Sequence, residues 1–244
     1  MIYRIIVNGI RSGDLQDAFL QLVGFVVALY FAIVLHEIAH GFVAHLNGDD
    51  TARINDRLTL NPVKHIDPVG ALMMLMVGIG WARPVPIDPR NFRHFKKGMV
   101  TVSLAGVTAN IIMAIFGFGM VVAMQAIANA VLDAKGVVEG FDLISIKLFY
   151  YLFLYLTLLN ISLFAFNLLP IAPLDGFRLV ETFTKPGNAY VRFMYRYGRY
   201  LFLVLILLGV LADITGWPCD VVGMYIGVIR TGILKLLSLI FGVA

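Results

Sequence analysis

Long apolar runs separated by short polar segments dominate the pattern along this chain. A helix needs about 20 largely apolar residues to cross the hydrocarbon core of a bilayer. Runs of that length occur at roughly 17–46, 99–131, 144–168 and 197–216. A further run, at about 219–242, is interrupted by Arg230 and Lys235, and it either spans the membrane or lies in its interface. The pattern predicts an all-α membrane protein of about four to five transmembrane helices, forming a single membrane-embedded domain over residues 1–244.

The composition agrees with this interpretation and excludes the soluble classes of protein. Hydrophobic residues make up 60% of the chain and charged residues only 14%, whereas a soluble domain is about 45–50% apolar and about 25% charged. The formal net charge of +4 is spread over loops, so it gives no case for a nucleic-acid partner. The single cysteine, Cys219, excludes an internal disulfide and a cysteine-based zinc site.

The charges in the loops predict which side of the membrane each loop occupies. Three lysine and arginine residues lie in 48–67, and five each lie in 83–97 and in 178–199, whereas 132–143 and 212–220 are mainly acidic. Cytoplasmic loops carry an excess of lysine and arginine. The three loops that carry lysine and arginine are therefore expected in the cytoplasm and the two acidic ones outside, so that the first span runs from outside to inside.

One apolar run is too short to span comfortably. Residues 70–80 read GALMMLMVGIG and are bracketed by Pro68, Pro84 and Pro86. Both flanks are basic, which places them on the same side of the membrane. A re-entrant or hairpin element at about 68–82 is the expected structure.

Candidate chemistry lies near the end of the first apolar run, where residues 36–40 read His-Glu-Ile-Ala-His. Positions i and i+4 share one face of a helix, so both imidazoles can bind one metal ion. Glu37 is adjacent and can accept a proton from a water at the metal. A polar helix end is the plainer alternative, but ionisable groups are costly within an apolar helix. Catalytic zinc needs a third protein ligand, and no nearby histidine or glutamate has the right spacing, which leaves chiefly Asp67 and Asp175.

Five short sequence blocks, from the first span to the end of the third, carry a resemblance to a known family. They are HEIAH at 36–40, NPVKHIDPVG at 61–70, GWARPVPI at 80–87, SLAGVTAN at 103–110 and NLLPIAPLDG at 167–176. The set resembles the site-2 proteases, polytopic zinc metalloproteases that cleave substrates inside the membrane, and most of all their compact bacterial branch. Gly106 is followed here by Val107, where the family usually has proline, and this departure concerns a helix-packing position rather than the chemistry.

The resemblance implies one zinc ion bound by His36, His40 and Asp175, with Glu37 as the general base. Zinc–ligand bonds of about 2.0–2.2 Å require these ligands to lie on the same side of the membrane. Asp175 follows the third span, and it can share a metal with the histidines only if the run at 70–80 does not cross. Ligand geometry and loop charge therefore agree that this run folds back.

Two asparagines receive roles from the resemblance. Asn167 would lie near the metal and help to hold the substrate carbonyl or the developing oxyanion. Asn110 would lie in the active-site neighbourhood as a substrate-binding residue. For both, a buried amide bonded to another helix is the alternative. Pro170 and Pro173 are expected to break the third span, which would let Asp175 approach the metal.

The remaining histidines and Asp67 receive structural assignments. His45, His65 and His94 lie in or beside polar loops and are expected to be surface residues. Asp67 precedes a proline in a turn-like setting, so capping is its expected task.

The expected function, implied by the resemblance, is that of an intramembrane zinc endopeptidase. It would hydrolyse peptide bonds within or near the transmembrane segments of membrane-protein substrates. Its partners would be those substrates and the lipid bilayer, and its location a bacterial inner membrane with the active site nearer the cytoplasmic side. The alternatives are a membrane zinc-binding or transport protein and a non-catalytic scaffold relative. An intact Glu37 argues against transport, which needs no positioned base.

Overall fold

The computed structural model describes residues 2–70 and 82–243, the side chain of Asp213 excepted. Within those residues the regular structure is helical, apart from one antiparallel bridge between Ile66 and Ala82. The helices of the described residues are, in chain order, α1 (Ile2–Ser12), α2 (Leu15–Leu46), α3 (Thr51–Ile54), α4 (Pro62–His65), α5 (Phe95–Lys135), α6 (Gly140–Asn167), α7 (Asp175–Phe183), α8 (Ala189–Thr215) and α9 (Val221–Ile240). A 3-10 turn at Pro89–Asn91 precedes α5.

Five of the described helices are long and apolar enough to cross a membrane, namely α2, α5, α6, α8 and α9. They coincide with the apolar runs, so the predicted all-α membrane protein is confirmed. The helices extend beyond those runs because polar residues continue them: α5 begins at Phe95 and α8 at Ala189. The last run forms one unbroken helix despite Arg230 and Lys235.

Helices α2, α5 and α6 form the centre of the bundle, and small residues let their backbones approach closely. Ala28 and Ala32 of α2 and Ala114 of α5 are fully buried. A Cβ atom at Gly24 would lie 2.8 Å from the backbone nitrogen of Leu152 in α6. Between helices in lipid, such close packing supplies much of the attraction. The helix with the His-Glu-Ile-Ala-His segment is therefore held between two others.

An N-terminal helix, α1, was not predicted from the sequence. The chain turns at Gly13, whose φ of +74° suits glycine, and α1 packs against α2. A Cβ atom at Gly9 would lie 2.3 Å from the Cβ of Ala18, while Ile2 packs in the same cluster as Phe25. With 11 residues α1 is too short to span, and its burial depends on the neighbouring helix.

The predicted re-entrant or hairpin element at about 68–82 falls mainly on residues 71–81, which lie outside the described residues. Residues on both sides of 71–81 are described, and among them Ile66 pairs with Ala82 in an antiparallel bridge. The segments that precede and follow the undescribed residues are therefore close to each other.

Candidate metal centre

Three side chains converge on one point between α2 and α7. The Nε2 atoms of His36 and His40 lie 3.0 Å apart. Oδ2 of Asp175 lies 3.3 Å from Nε2 of His36 and 3.0 Å from Nε2 of His40. Both histidines are buried, and only 14% of the Asp175 side chain is exposed. These residues, which we call the metal-ligand cluster, are those for which the sequence predicted metal binding.

A break in the chain brings Asp175 to the histidines. After α6 the backbone is irregular and contains Pro170 and Pro173, and α7 begins at Asp175. As predicted, the prolines fall in the break, where they cannot continue a helix. Gly176 permits the tight return, because a Cβ atom there would lie 2.4 Å from the carbonyl oxygen of Leu168.

The partners of the remaining ring nitrogens indicate which form of each imidazole fits the site. Nδ1 of His36 lies 2.6 Å from Oδ1 of Asn110, and Nδ1 of His40 lies 2.7 Å from the carbonyl oxygen of Val102. Both partners accept hydrogen bonds, so each Nδ1 carries the proton and each Nε2 of a neutral ring presents a lone pair. Oδ2 of Asp175 is buried and receives no hydrogen bond. Three lone pairs thus face one another.

This donor set fits a catalytic zinc ion. A single proton could satisfy one pair of these atoms, whereas a divalent cation satisfies all three. Tetrahedral zinc with bonds of about 2.0–2.2 Å separates its ligand atoms by about 3.3–3.6 Å. The distances within the cluster, 3.0–3.3 Å, are close to that range. Imidazole nitrogen and carboxylate oxygen are ordinary zinc ligands, and three protein ligands leave a fourth position for water or substrate.

Gly106 of α5 packs directly against the two imidazoles. A Cβ atom at this position would lie 2.4 Å from Cε1 of His36 and 2.4 Å from Nε2 of His40. Any side chain here would displace both rings, so the site itself requires glycine. The next residue, Val107, is buried and continues α5, and its departure from the usual proline leaves the contact of Gly106 unchanged.

Asn110 of α5 is almost fully buried and holds the ring of His36. Its Nδ2 donates to Oδ1 of Asn160 over 2.7 Å and to the carbonyl of Ala32 over 3.3 Å, while its Oδ1 faces His36. Asn160, from α6, was not singled out from the sequence. The available signal was an asparagine within an apolar span, where such side chains usually bond another helix. The substrate-binding role of Asn110 stays a prediction, and the contact found is with a ligand histidine.

Glu37 lies beside the ligand histidines on α2, but its carboxylate bonds a residue outside the metal-ligand cluster. Oε2 accepts a hydrogen bond of 2.8 Å from the backbone N–H of Val85. Val85 is buried and lies between Pro84 and Pro86, which have no N–H to donate. Gly41, one turn along α2, makes room, because a Cβ atom there would lie 3.0 Å from Cγ1 of Val85. Glu37 is therefore held next to the ligands by the backbone of another segment.

Asp49, in the turn after α2, anchors the segment that contacts Glu37. Its carboxylate accepts hydrogen bonds from the backbone N–H of Asp88 (2.7 Å), from Nδ2 of Asn91 (2.9 Å) and from the backbone N–H of Thr51 (3.1 Å). Burial alone would raise the pKa of Asp49, but these hydrogen bonds lower the pKa below its ordinary value. This contact was not predicted, because it exists only once separate loops are in place.

Asn167 and Asp67 are both bonded locally. Asn167 ends α6 and is half-buried, and its Nδ2 donates to the carbonyl of Leu163 in the same helix over 3.0 Å. Its catalytic role stays a prediction. Oδ1 of Asp67 accepts from the backbone N–H groups of Val69 and Gly70, both over 2.9 Å, so the predicted capping is confirmed.

His65 was expected at the surface, and this prediction is wrong. Its side chain is fully buried, and Nε2 bonds the carbonyl of Thr59 over 2.7 Å. The backbone carbonyl of His65 accepts from the N–H of Arg83 over 2.8 Å, so the loop that contains His65 pairs with a segment that follows the undescribed residues. Loop composition cannot show that pairing. His94 is exposed and His45 partly exposed, in agreement with their assignment.

A second polar group, which we call the Asp17 cluster, lies at the opposite end of α2. Asp17 accepts from Nζ of Lys147 over 2.7 Å and from the hydroxyl of Tyr151 over 2.9 Å, both in α6, and from Nε2 of Gln21 over 2.7 Å. The hydroxyl of Tyr155 donates to Oε1 of Gln21 over 3.1 Å. Donors match acceptors here, and the cluster joins α2 to α6.

Comparison with known proteins agrees with this geometry. Residues 24–207 match Peptidase family M50. The chain is 40% identical over 218 residues to the candidate zinc metalloprotease YwhC of Bacillus subtilis, an alignment that covers 88% of this chain and 91% of that protein. It is 26% identical over 196 residues to the candidate zinc metalloprotease Rip2 of Mycolicibacterium smegmatis, covering 78% of this chain and 68% of that protein. No solved structure matches the chain significantly.

Proposed function

The chain belongs to Peptidase family M50, and from this premise we propose that it is an intramembrane zinc endopeptidase. It hydrolyses peptide bonds within or near the transmembrane segments of membrane-protein substrates. The observation that carries the proposal is the convergence of lone pairs from His36, His40 and Asp175 beside Glu37. The relatives named as zinc metalloproteases support the metal and the class of reaction.

One zinc ion is the proposed cofactor, and His36, His40 and Asp175 would hold it. When bound, zinc lowers the pKa of a coordinated water to about 7 and polarises a carbonyl. Both imidazoles already have the form that binds metal, because each Nδ1 proton is directed to a protein oxygen. Asp175 adds a negative charge, which offsets part of the charge of the ion in a buried site.

Glu37 is the proposed general base and general acid. Its carboxylate accepts a proton from the attacking water and then gives a proton to the nitrogen of the leaving amine. The N–H of Val85 occupies Oε2, which leaves the second oxygen for the proton. Since residue 37 directly follows His36, one helix fixes the base relative to two ligands.

The substrate is proposed to be a membrane segment that unwinds locally before cleavage. In a helix each carbonyl is hydrogen-bonded within the segment, so it is shielded from a nucleophile. Asn167 is proposed to hold the substrate carbonyl or the developing oxyanion. Its position at the end of α6, just before the break that leads to Asp175, supports this role. Any substrate contact of Asn110 would come in addition to its bond with His36.

The active site is proposed to lie nearer the cytoplasmic side of a bacterial inner membrane. His36 and His40 lie in the last third of α2, and the loop 48–67, which carries Arg53, Arg57 and Lys64, follows that helix. Loops rich in lysine and arginine face the cytoplasm. The bacterial origin of both relatives supports the choice of membrane.

A cleavage assay with the reconstituted full chain tests the proposal. The chain is placed in liposomes with a fluorescent single-span model protein whose membrane segment contains helix-breaking Gly and Pro. We expect cleavage within that segment, located by mass spectrometry, which a chelator abolishes and added zinc restores. Glu37→Gln should retain zinc but lower the rate by about 10²–10⁴-fold, because the amide cannot accept the proton.

Different results identify different errors. Cleavage by Glu37→Gln at the rate of the parent would contradict the proposed base. Zinc uptake into the liposomes with an uncut substrate would favour a zinc transporter, and zinc binding without either activity would favour a scaffold.

A further inference from the structure

We propose that Asn160 is a positioning residue which, acting through Asn110, fixes the ring of His36 in the form whose Nε2 is free to bind metal. This inference rests on the proposed metal site. It concerns a residue outside all the sequence blocks that carry the family resemblance. Asn160 lies within α6 and is fully buried.

The hydrogen bonds form a continuous chain from the backbone to a metal ligand. Nδ2 of Asn160 donates to the carbonyl of Leu156 over 2.7 Å. Oδ1 of Asn160 accepts from Nδ2 of Asn110 over 2.7 Å. Oδ1 of Asn110 lies 2.6 Å from Nδ1 of His36. The chain thus connects α6, α5 and α2.

The first acceptor imposes a direction on the whole chain. A backbone carbonyl only accepts hydrogen bonds, so Asn160 must turn its NH2 group to Leu156 and its oxygen to Asn110. Asn110 must then turn its NH2 group to Asn160, and its oxygen faces His36. An oxygen at that position places the ring proton on Nδ1 and leaves Nε2 with a lone pair.

Burial makes this direction hard to reverse. Asn110 is 1% exposed and Asn160 is 0% exposed, so no bulk water reaches a reversed amide. Nδ2 of Asn110 also has a second acceptor, the carbonyl of Ala32, at 3.3 Å. Reversal of Asn110 would leave two carbonyl-type oxygens facing each other without a proton, which is costly away from solvent.

His40 is held in a different way, so the two ligands can be separated by experiment. Its Nδ1 faces the backbone carbonyl of Val102 at 2.7 Å, and no side-chain substitution removes that acceptor. His36 depends instead on two asparagine side chains. Loss of Asn160 should therefore disturb one ligand and leave the other in place.

The test measures metal affinity of the full chain in detergent. Zn²⁺ affinity is measured by competition with a chelator, and the coordination geometry by the visible absorption of bound Co²⁺. Asn160→Leu removes the acceptor for Asn110, which can then turn its NH2 group to His36 and favour the proton on Nε2. We expect the zinc affinity to fall about 10- to 100-fold, the range for loss of a hydrogen-bond partner behind a metal ligand. The four-coordinate Co²⁺ bands should weaken as well.

Two further variants separate orientation from simple burial of a polar group. Asn160→Asp in its carboxylic acid form donates to the carbonyl of Leu156, keeps an oxygen facing Asn110 and should bind zinc as the parent does. Thr157 is equally buried in the same helix, and its hydroxyl donates to the carbonyl of Phe153 over 2.9 Å. Thr157→Val should therefore leave the zinc affinity unchanged, although it removes a buried hydrogen bond.

Unchanged zinc affinity in Asn160→Leu would overturn the inference. An equal loss in Asn160→Asp or in Thr157→Val would overturn it too, because orientation would then not be the cause. Should Asn160→Leu fail to fold, Asn160→Ala removes the same acceptor without added bulk. A parent protein that binds no zinc would contradict the proposed function instead, so the two failures are distinguishable.

Discussion

The two ends of α2 carry polar clusters that look alike in composition and differ in their balance of donors and acceptors. In the Asp17 cluster the carboxylate accepts from Lys147, Tyr151 and Gln21, so its lone pairs are satisfied by protein. In the metal-ligand cluster the Nε2 atoms of two histidines meet a carboxylate oxygen that receives no hydrogen bond. A buried polar group is thus not itself a sign of chemistry. A surplus of acceptors at one point is such a sign, because only a cation relieves it.

The two clusters differ in the segments that build them. The Asp17 cluster is built from α2 and α6 alone. At the other end α6 has already ended, and Asp175 enters from α7 after the proline-containing break. The Asp17 cluster is therefore formed by helix packing, whereas the metal-ligand cluster also requires the irregular segment between α6 and α7.

The largest expected effect comes from removing the carboxylate of the metal-ligand cluster. Asp175→Asn replaces an anionic ligand with a neutral amide of nearly the same shape. Loss of a hydrogen-bond partner behind a metal ligand typically lowers the affinity about 10- to 100-fold. We expect the loss of the ligand itself to lower the zinc affinity further and to abolish cleavage. Metal content by mass spectrometry and chelator competition measure this.

Asp67→Asn is the matched control for Asp175→Asn. Asp67 was the other candidate ligand, and its carboxylate caps the turn at Val69 and Gly70. The control should keep zinc at the stoichiometry of the parent. If Asp67→Asn loses zinc while Asp175→Asn keeps it, the assignment of the third ligand is wrong.

Removing the cation of the Asp17 cluster should have a smaller effect of a different kind. Lys147→Met leaves Asp17 partly buried without its ion-pair partner, and Lys147 is itself 35% exposed, so solvent screening reduces the loss. We expect a free energy of unfolding lower by about 1–2 kcal/mol, measured by thermal unfolding of the metal-free protein. Zinc affinity should not change.

An exposed ion pair provides the control for Lys147→Met. Lys135 pairs with Asp142 where α5 gives way to α6, and 61% of the Lys135 side chain is exposed. Lys135→Met should cost about 0–1 kcal/mol, as exposed pairs do. A fall in zinc affinity in Lys147→Met would show that the two clusters are coupled, and the contrast between them would no longer hold.

What the sequence could predict follows from how local each signal is. The membrane helices and the pair His36 and His40 depend on periodicity within one helix, which is visible in the order of residues. Asp175 is distant in the chain, and it was recognised through the family resemblance of its block. Its approach to the histidines agrees with the two prolines that precede it.

What the sequence could not predict depends on contacts between distant segments. The contact of Asn160 with the site is visible only in the folded structure, where Asn110 of α5 lies between Asn160 and His36. The buried His65 lies next to Ile66, which pairs with Ala82 across residues that carry no local sign of this bridge. Asp49 bonds residues that follow it by about forty positions. No local pattern encodes these contacts, because each partner alone resembles an ordinary loop or span residue.

An effect of about the same size as that of Lys147→Met is expected at Glu37, whose carboxylate lies beside the ligands and accepts a hydrogen bond from Val85. Val85→Pro removes that N–H while keeping most of the apolar bulk, and the neighbouring Pro84 and Pro86 already restrict the segment to extended conformations that proline shares. Val85→Ala keeps the N–H and removes the bulk that contacts Gly41. We expect Val85→Pro to lower kcat about tenfold, equivalent to about 1.4 kcal/mol, with zinc content and KM unchanged.

The comparison of the two Val85 variants decides what the hydrogen bond contributes. If Val85→Ala lowers kcat as much as Val85→Pro, packing against α2 positions the base and the N–H does not. If neither variant changes kcat, α2 alone holds Glu37 in place. A loss of kcat confined to Val85→Pro would show that the hydrogen bond from this N–H contributes to the role of Glu37. On the proposed mechanism Oδ2 of Asp175, which receives no hydrogen bond, would bind the metal, whereas Glu37, which accepts one from Val85, would carry the proton.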